Sequence, residues 1–459
     1  MQFIENRPYG ALNPGDRADV TRLLDAQDFV LFSAMSGDMA PAGLEDAAEG
    51  AVIPQGGWAG VLVANIISSE LPGSGSLIVE QSLRFDGPAH VGDVLTLSVT
   101  VREKQPDNRV LLDCEARDQG GAQVFSGEVL VIAPGESIRR PRVLTPDIHL
   151  QPRGQGHDRV MEAARGLPAI RTVVVHPVDE ASLSGALDAA RAGMIVPILV
   201  GPQAKIAAAA EACHADLSGV EIVDVPHSHA AAARAVELVR EGRGDAIMKG
   251  ALHTDELMGA VMKTDIGLRT ERRVSHVFAL DVPTYHKALL VTDAAINIYP
   301  TLDDKRDIVQ NAIDLAQALG VDRPKVAILS AVETVYPKIA STVEAAALCK
   351  MADRGQIRGG ILDGPLAFDN AISRAAAEAK HIVSPVAGDV DILVAPDLEA
   401  GNMIAKQLIY LAGAEAAGLA LGARAPIMLT SRSDGARARV VSCALAQLYI
   451  HRRLAGAPS

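Results

Sequence analysis

Hydrophobic and polar residues alternate with a period of two along residues 75–133. The runs SLIVEQSLRF, DVLTLSVTVREK, RVLLDCEARD and AQVFSGEVLVIAP are separated by Gly, Pro and Asp, as in antiparallel strands joined by turns. Before them, GGWAGVLVANIISSEL is apolar over the length of a helix. One buried helix followed by an antiparallel meander predicts an α+β domain over residues 1–135.

The pattern changes at about residue 134, where PGESIRRPRVLTPDIHLQPRGQG begins. This stretch is rich in Pro, Gly and Arg and has no sustained periodicity, which is typical of a connection between domains. We therefore predict a linker over residues 136–166.

After residue 167, short apolar runs such as TVVVH, VPILVG, DAIMKG and KVAILSA alternate with amphipathic segments such as DKRDIVQNAIDLAQALG. Fully apolar strands that alternate with helices predict a parallel sheet covered on both faces. Residues 167–459 are long enough for two such α/β lobes with a cleft between them. In these folds ligands bind at the carboxyl ends of the strands.

Composition narrows the possible functions. The chain has 459 residues, which is long enough for two or three domains. Only 3% of its residues are aromatic, which favours helices packed on buried parallel strands. Its formal charge is −13, and because nucleic-acid-binding proteins are usually basic, nucleic acid is an improbable partner. Its four cysteines are scattered without a CxxC pair, which disfavours a zinc site or a disulfide framework. With no signal-like start and no apolar run of membrane-spanning length, we expect a cytoplasmic protein with no membrane partner.

The segment PIMLTSRSDGARARVVSCALAQLYI carries the clearest chemical signal. A strand leads into Ser431 and Arg432, and Ser433 or Asp434 is placed to cap the helix that follows. A serine and an arginine between a strand end and a helix N-terminus suit a phosphate or a developing oxyanion. A simple helix cap is the alternative explanation.

Six segments together resemble the phosphate acetyltransferase and phosphate butyryltransferase family. They are MKGALHTDELMGAVM, GLRTERRVSHVFAL, VTDAAINIYPTLDDK, ILDGPLAFDNAIS, SPVAGDVDILVAPDLEAGNMIAKQLIYLAGA and LTSRSDGARARVVSCALA. They occur in family order and lie between residues 248 and 446. The LTSR and LDGPLA segments are closer to the butyryltransferase branch.

The resemblance implies an enzyme that moves a short acyl group, acetyl to butyryl, between coenzyme A and inorganic phosphate. Family members work through a ternary complex without a metal or a tightly bound cofactor, so coenzyme A and phosphate are expected as substrates. By resemblance, Ser431 would bond the developing oxyanion or the leaving group, and Arg432 would hold phosphate.

One position departs from the family pattern. The acetyltransferase branch has an acidic residue seven positions after the motif serine, as the proposed base for the CoA thiol, and this chain has Ala438 there. Asp434 is the nearest carboxylate, and it could serve as that base or only as the helix cap. The identity of the base stays open.

Seven further residues are candidates for substrate binding because they lie in segments that resemble the family. For six of them a structural role is the alternative: a first-turn residue for the histidine, a surface residue for the arginine, a turn former for Asn297 and Asp363, and a helix cap for Asp397 and Asn402. The candidates are Lys249, His253, Arg269, Asn297, Asp363, Asp397 and Asn402. In the segment after Lys249, Thr254 or Asp255 is expected to cap the next helix.

Two other signals are weak. The HSH triplet at residues 227–229 lacks further ligands at fitting spacing, so a helix start is favoured over a metal site. Neither a GxxxxGK[ST] loop nor a GxGxxG turn after a strand is present, which disfavours nucleoside-triphosphate and dinucleotide enzymes.

The first 135 residues resemble the MaoC-like (R)-specific enoyl-CoA hydratases, which are hot-dog domains with a long helix wrapped by an antiparallel sheet. The resemblance rests on FSAMSGDMAP, GGWAGVLVANIISSELPGSGS and VEQSLRFDGPAHVGDVLTLSVTV. The family signature is Asp-x-Asn-Pro-x-His, followed later by His-Gly. Here Asp38 is kept, but Gly43 replaces the catalytic histidine and Gln55 replaces the later one. Glycine cannot transfer a proton, so this site is predicted to be degenerate.

We therefore expect a degenerate hydratase-like domain fused to a working phosphate acyltransferase. One alternative is a bifunctional enzyme in which Asp38 works with another histidine, such as His90. A second is a non-catalytic acyl-CoA sensor. Both families are usually oligomeric, so a homo-oligomer is expected by analogy.

Overall fold

A computed structural model describes residues 3–36, 52–53, 57–141, 155–429 and 435–456. The chain divides into two compact units, Met1–Leu150 and Gln151–Ser459, called unit 1 and unit 2 below. In the described part of the chain, no helix is long and apolar enough to cross a membrane.

Unit 1 is an α+β structure. After β1 (Phe3–Glu5), a 3-10 turn (Tyr9–Ala11) and β2 (Arg17–Leu23), the chain forms α1 (Ala26–Ser36), β3 (Val52–Ile53) and α2 (Gly57–Ser69). The remaining strands are β4 (Leu77–Phe85), β5 (Ala89–His90), β6 (Val94–Gln105), β7 (Arg109–Arg117), β8 (Gln123–Ile132) and β9 (Arg139–Pro141).

The main sheet of unit 1 has five described strands in the order β2-β6-β7-β8-β4, all antiparallel. One face of α2 packs against the sheet in a single hydrophobic core. In this core the rings of Trp58 and Phe125 meet edge to face, with their centroids 6.1 Å apart. The predicted helix and meander are therefore present. Strand β2 was not predicted, because RADVTRL has few apolar residues and pairs only at the sheet edge.

The linker prediction is wrong at both of its ends. β9 pairs antiparallel with β1, so residues 139–141 belong to unit 1. Gln155–Ala164 forms helix α3, which packs against the last helix of unit 2. Neither element could be predicted from this Pro- and Arg-rich stretch, because β9 is stabilised by β1 and α3 by the last helix, and both partners are distant in the sequence.

Unit 2 alternates strands and helices along most of its length. Its strands are β10 (Ile170–Val175), β11 (Ile195–Gly201), β12 (Glu221–Asp224), β13 (Ala246–Lys249), β14 (Ser275–Asp281), β15 (Leu289–Thr292), β16 (Lys325–Leu329), β17 (Ile361–Leu366), β18 (Ile392–Val394), β19 (Glu415–Leu421) and β20 (Ile427–Met428).

The helices after α3 are α4 (Glu180–Arg191), α5 (Gln203–Ala212), α6 (Ser228–Arg240), α7 (Thr254–Val261), α8 (Leu302–Ala318), α9 (Ala340–Asp353), α10 (Phe368–Ile372), α11 (Arg374–Ala379), α12 (Leu398–Tyr410) and α13 (Ala436–Ala455). Three hydrophobic clusters join these helices to the sheet. The first includes α4, α8, α9 and α13, the second α6 and α7, and the third α12.

The described strands of unit 2 form one sheet in the order β12-β11-β10-β13-β20-β19-β14-β15-β18-β16-β17. The first five strands are parallel to one another, and so are the last four. The expectation of a wholly parallel sheet is wrong in the middle, where β14 is antiparallel to β15 and β19, and β19 to β20. The loops from β14 to β15 and from β19 to β20 are too short for a helical crossover, which parallel neighbours need.

Candidate functional site

Lys249 lies at the carboxyl end of the parallel strand β13. It pairs in register with Val175 of β10, and Met248 pairs with Met428 of β20. Lys249 is buried, with 5% of its surface exposed. Lys249 therefore lies beside the end of β20. That strand ends at Met428, two positions before residues 430–434 begin.

The turn after Lys249 requires a glycine. A Cβ at Gly250 would lie 2.5 Å from the carbonyl oxygen of Val175 and 2.8 Å from that of His176. The backbone N–H groups of Gly250 and Ala251 donate to those same two oxygens, each at 2.9 Å. The chain therefore continues the β10–β13 ladder past the strand ends and holds Lys249 at a defined height.

His176 is a part of this turn that the sequence analysis missed. It adopts a left-handed backbone conformation with φ 55°, and its Nδ1 lies 2.9 Å from the carbonyl oxygen of Ala251. The signal available in the sequence was a histidine directly after the apolar strand TVVV.

His253 is exposed at the N-cap of α7, and Glu256 Oε1 faces its backbone N–H at 3.5 Å. The expected caps Thr254 and Asp255 are wrong, because both lie in the first turn of the helix itself. His227 is the N-cap residue of α6 and caps it through its side chain, since its Nδ1 accepts from the backbone N–H of Ala230 at 3.2 Å. The prediction that the HSH triplet starts a helix is confirmed.

Ser431, Arg432 and Asp434 lie outside the described residues, so their predicted roles stay predictions. Ser433 lies outside the described residues as well, so the capping role expected for it or for Asp434 also stays a prediction. Helix α13 begins at Ala436, with Gly435 as its N-cap residue. Ala438 lies in the first turn of α13 and is half-buried.

A second group of family residues surrounds the loop after β15. The carboxylate of Asp293 is buried and accepts from the backbone N–H groups of Ala295, Ile296 and Asn297 at 2.9–3.1 Å. Burial raises the pKa of Asp293, and these donors offset part of the rise. The side chain therefore fixes the loop from within.

Asn297 is enclosed by the same loop. Its amide nitrogen donates to the carbonyl oxygen of Val274 at 2.9 Å and to Asp293, and its oxygen accepts from Arg273 Nε at 2.6 Å. Both N–H donors of its amide are used inside the protein and the residue is 2% exposed, so Asn297 stabilises this loop. Its role in substrate binding stays a prediction.

Helix α12 packs against this loop at very short range. Asn402 donates to the carbonyl oxygen of Ala294 at 3.0 Å. A Cβ at Gly401 would lie 2.2 Å from the carbonyl oxygen of Asp293. Asp397 caps the helix by accepting from the backbone N–H of Ala400 at 2.8 Å.

Arg273 organises the loop from the other side and was not predicted from the sequence. Besides its bond to Asn297, its backbone N–H donates to Asp307 at 2.9 Å, and its Nε lies 3.5 Å from Asp304. The two aspartates lie on α8, so Arg273 connects that helix to the loop. The sequence signal was the arginine pair that precedes β14.

The remaining candidates are separate from these two groups. Arg269 is exposed between α7 and β14, with no ion pair among the described residues. Asp363 lies on β17, and its carboxylate accepts from the backbone N–H of Gly364 at 2.8 Å. The structure thus brings Asn297 and Asn402 to the same loop. It places Asp363 inside strand β17, and the role of Asp363 in substrate binding stays a prediction.

The hydratase-like residues Asp38, Gly43 and Gln55 also lie outside the described residues. His90, the substitute histidine of the bifunctional alternative, lies 3.3 Å from Asp93 through its Nδ1. Within the described ranges, no group of three or more His, Cys, Asp and Glu residues is arranged to hold a metal ion.

Comparison with known proteins identifies unit 2. The family model described as "Phosphate acetyl/butaryl transferase" matches residues 228–447. A phosphate acetyltransferase from Rhizobium meliloti is 63% identical over 65% of this chain and 95% of its own length. A phosphate butyryltransferase from Clostridium acetobutylicum is 42% identical over 59% of this chain and 90% of its own length. These identities do not favour the butyryltransferase branch.

The solved structures agree with this result. A branched-chain phosphotransacylase from Enterococcus faecalis V583 aligns with a TM-score of 0.54 and 30% identity, covering 61% of this chain and 99% of that protein. The identity, the coverage of the relatives and the shared α/β fold lead to one conclusion: the chain belongs to the phosphate acetyl/butyryltransferase family of acyltransferases.

Proposed function

We propose that unit 2 exchanges a short acyl group, acetyl to butyryl, between coenzyme A and inorganic phosphate in a ternary complex. A phosphate oxygen attacks the thioester carbonyl, the carbon–sulfur bond breaks, and the CoA thiolate leaves and takes up a proton. The products are an acyl phosphate and free CoA, and the reverse reaction follows the same path. The observation that best supports this proposal is the position of buried Lys249, next to the strand that leads into Ser431 and Arg432.

Positive charge would do most of the work at this site. Arg432 holds phosphate through its planar guanidinium, and Ser431 donates to the oxyanion that forms at the carbonyl. Lys249 and the N-terminal end of the twenty-residue helix α13 add positive potential at the same edge of the sheet.

The same positive potential can stabilise the CoA thiolate although Ala438 stands where the acetyltransferase branch has an acidic residue. A thiolate is stabilised near lysine, arginine or a helix N-terminus, where the pKa of a thiol falls below its usual range. We infer that this potential favours the CoA thiolate without an acidic residue at position 438. Restoring the acid with Ala438→Asp tests this: an unchanged kcat agrees with the inference, and a large increase in kcat would contradict it.

For unit 1 we propose a hot-dog domain of the hydratase type that has lost hydration chemistry. The support is the long helix α2 in the core of an antiparallel sheet, together with glycine at position 43 and glutamine at position 55. His90 faces Asp93, so it offers no support for the bifunctional alternative. Measurable hydration of crotonyl-CoA above the uncatalysed rate would overturn this proposal.

A further inference from the structure

An arginine-rich groove lies on unit 2 at the C-terminal end of α13. Its volume is about 730 Å³, which is within the usual range for small-molecule sites. Arg452 and Arg453 form one wall, Arg272 and Asp314 another, and Tyr449 also lines it. Three arginines thus face one carboxylate, on a chain whose formal charge is −13.

The arginine opposite α13 is held in place. Arg272 Nη1 donates to Asp314 at 2.5 Å and lies 3.4 Å from Asn311 Oδ1, and Asp314 also accepts from Gln310 at 2.9 Å. Among the described residues, the Arg272 side chain bonds only through Nη1, so its Nε and Nη2 can donate to a ligand. A fixed, planar guanidinium is well suited to a phosphate or carboxylate group.

Tyr449 is the second, independent indication of a ligand site. The residue is 8% exposed and lines the groove. No hydrogen bond joins its hydroxyl to another described residue, and the hydroxyl is not one of the fully buried polar atoms, so it is open to the groove. Asp314, Arg453 and Arg272 are its charged neighbours, and burial raises the pKa of the phenol, which stays protonated and able to donate. A buried residue with an unused hydroxyl beside two guanidinium groups is the donor set that an oxyanion requires.

The groove is remote from the expected acyl-transfer residues. Arg452 lies sixteen positions beyond Ala436, the first residue of α13, which corresponds to about 24 Å along the helix axis. Arginines in a last turn also stabilise the negative end of the helix dipole, but this does not account for Arg272 or Tyr449 on the other walls.

We propose that this groove, lined by Arg272, Tyr449, Arg452 and Arg453, binds a phosphate-bearing metabolite of nucleotide size at a second site. The guanidinium groups grip the phosphates, and the Tyr449 hydroxyl donates to one of their oxygens. The site is distinct from the one that holds coenzyme A and phosphate for acyl transfer.

The test is calorimetric titration of the full-length protein with ADP and with pyrophosphate. Arg452→Ala combined with Arg453→Ala should weaken ADP binding roughly 10- to 100-fold, because charge-assisted hydrogen bonds are lost. Tyr449→Phe, which removes only the hydroxyl, should weaken it by a smaller factor. Arg165→Ala, which removes an exposed arginine directly after α3, is the matched control and should bind ADP like the wild type.

Steady-state kinetics separate this groove from the acyl-transfer site. The groove variants should keep the wild-type KM values for acyl-CoA and phosphate, and they should unfold at the wild-type temperature. Absence of ADP and pyrophosphate binding at millimolar concentration would overturn the proposal. Binding that is equal in all variants and competitive with acyl-CoA would overturn it too, because the probe would then occupy the acyl-transfer site.

Discussion

The imidazole of His276 should make unit 2 sensitive to mild acid. His276 lies on β14 and is 1% exposed, with its ring 4.4 Å from that of Phe278. Its Nδ1 has no hydrogen-bond partner among the described residues. On the neighbouring strand, Gly418 makes room for the ring, since a Cβ there would lie 2.9 Å from it.

Burial without a partner disfavours the charged form and lowers the pKa of His276 to about 4. The unfolded chain, with an ordinary histidine pKa of about 6.5, binds a proton at mildly acidic pH where the folded state does not. The stability is therefore fully present above the unfolded pKa and is lost as the pH falls from about 6.5 towards 4. The loss is about 2 kcal/mol at about pH 5 and about 3 kcal/mol at the acid limit.

The assay is urea unfolding at about pH 7.5 and about pH 5, for the wild type and for His276→Asn, which does not titrate in this range. Helix circular dichroism follows the helix-rich unit 2, and fluorescence of Trp58, the single tryptophan, follows unit 1 as an internal control. The pKa of buried His157 is also lowered, so the wild type keeps more than one acid-sensitive group and the comparison between proteins isolates His276. We expect the variant to lose about 2 kcal/mol less than the wild type between the two pH values. An equal loss in both proteins would refute the reasoning.

Three further predictions follow from close contacts. Gly250→Ala should lower kcat, because the added Cβ displaces the turn after Lys249. Gly259→Ala on α7 is the control and should keep wild-type kinetics, because its Cβ would have open space. Equal kinetics in the two variants would contradict this prediction. Asn402→Ala should cost about 1 kcal/mol of unfolding free energy, measured in urea, because the carbonyl oxygen it bonds loses its donor. Phe125→Ala should destabilise unit 1 by about 3–5 kcal/mol, followed by tryptophan fluorescence, and a loss below 1 kcal/mol would show a loosely packed core.

Strand β19 shows where sequence patterns stop being informative. Four of its seven residues, EAAGLAL, are Ala or Gly and none is β-branched, so the composition does not predict a strand. The strand exists because β14 and β20 lie on either side of it, and Gly418 is needed by a ring that is distant in the sequence. The short apolar runs TVVVH, VPILVG and DAIMKG were correctly predicted as strands. A strand that is buried on both faces is apolar at nearly every position, and this pattern can be recognised in the sequence.

Among the candidate site residues, too, only those whose position depends on local sequence could be predicted. The position of Lys249 at a strand end follows from local pattern, and the structure has it there. The role of Asn297 does not, because its partners Arg273 and Val274 lie more than twenty residues away and only the folded loop brings them together. A polar residue after a strand can bind a substrate or close a turn, and only its hydrogen bonds decide between the two.

The most direct test of the account is phosphate-dependent release of CoA thiol from acetyl-, propionyl- and butyryl-CoA, with wild type and Ser431→Ala measured side by side. Crotonyl-CoA hydration is followed in the same preparation. We expect release that requires phosphate, a large loss of kcat in the variant, and no hydration. Tight binding of acyl-CoA without any phosphate-dependent release would contradict the account and favour a sensor.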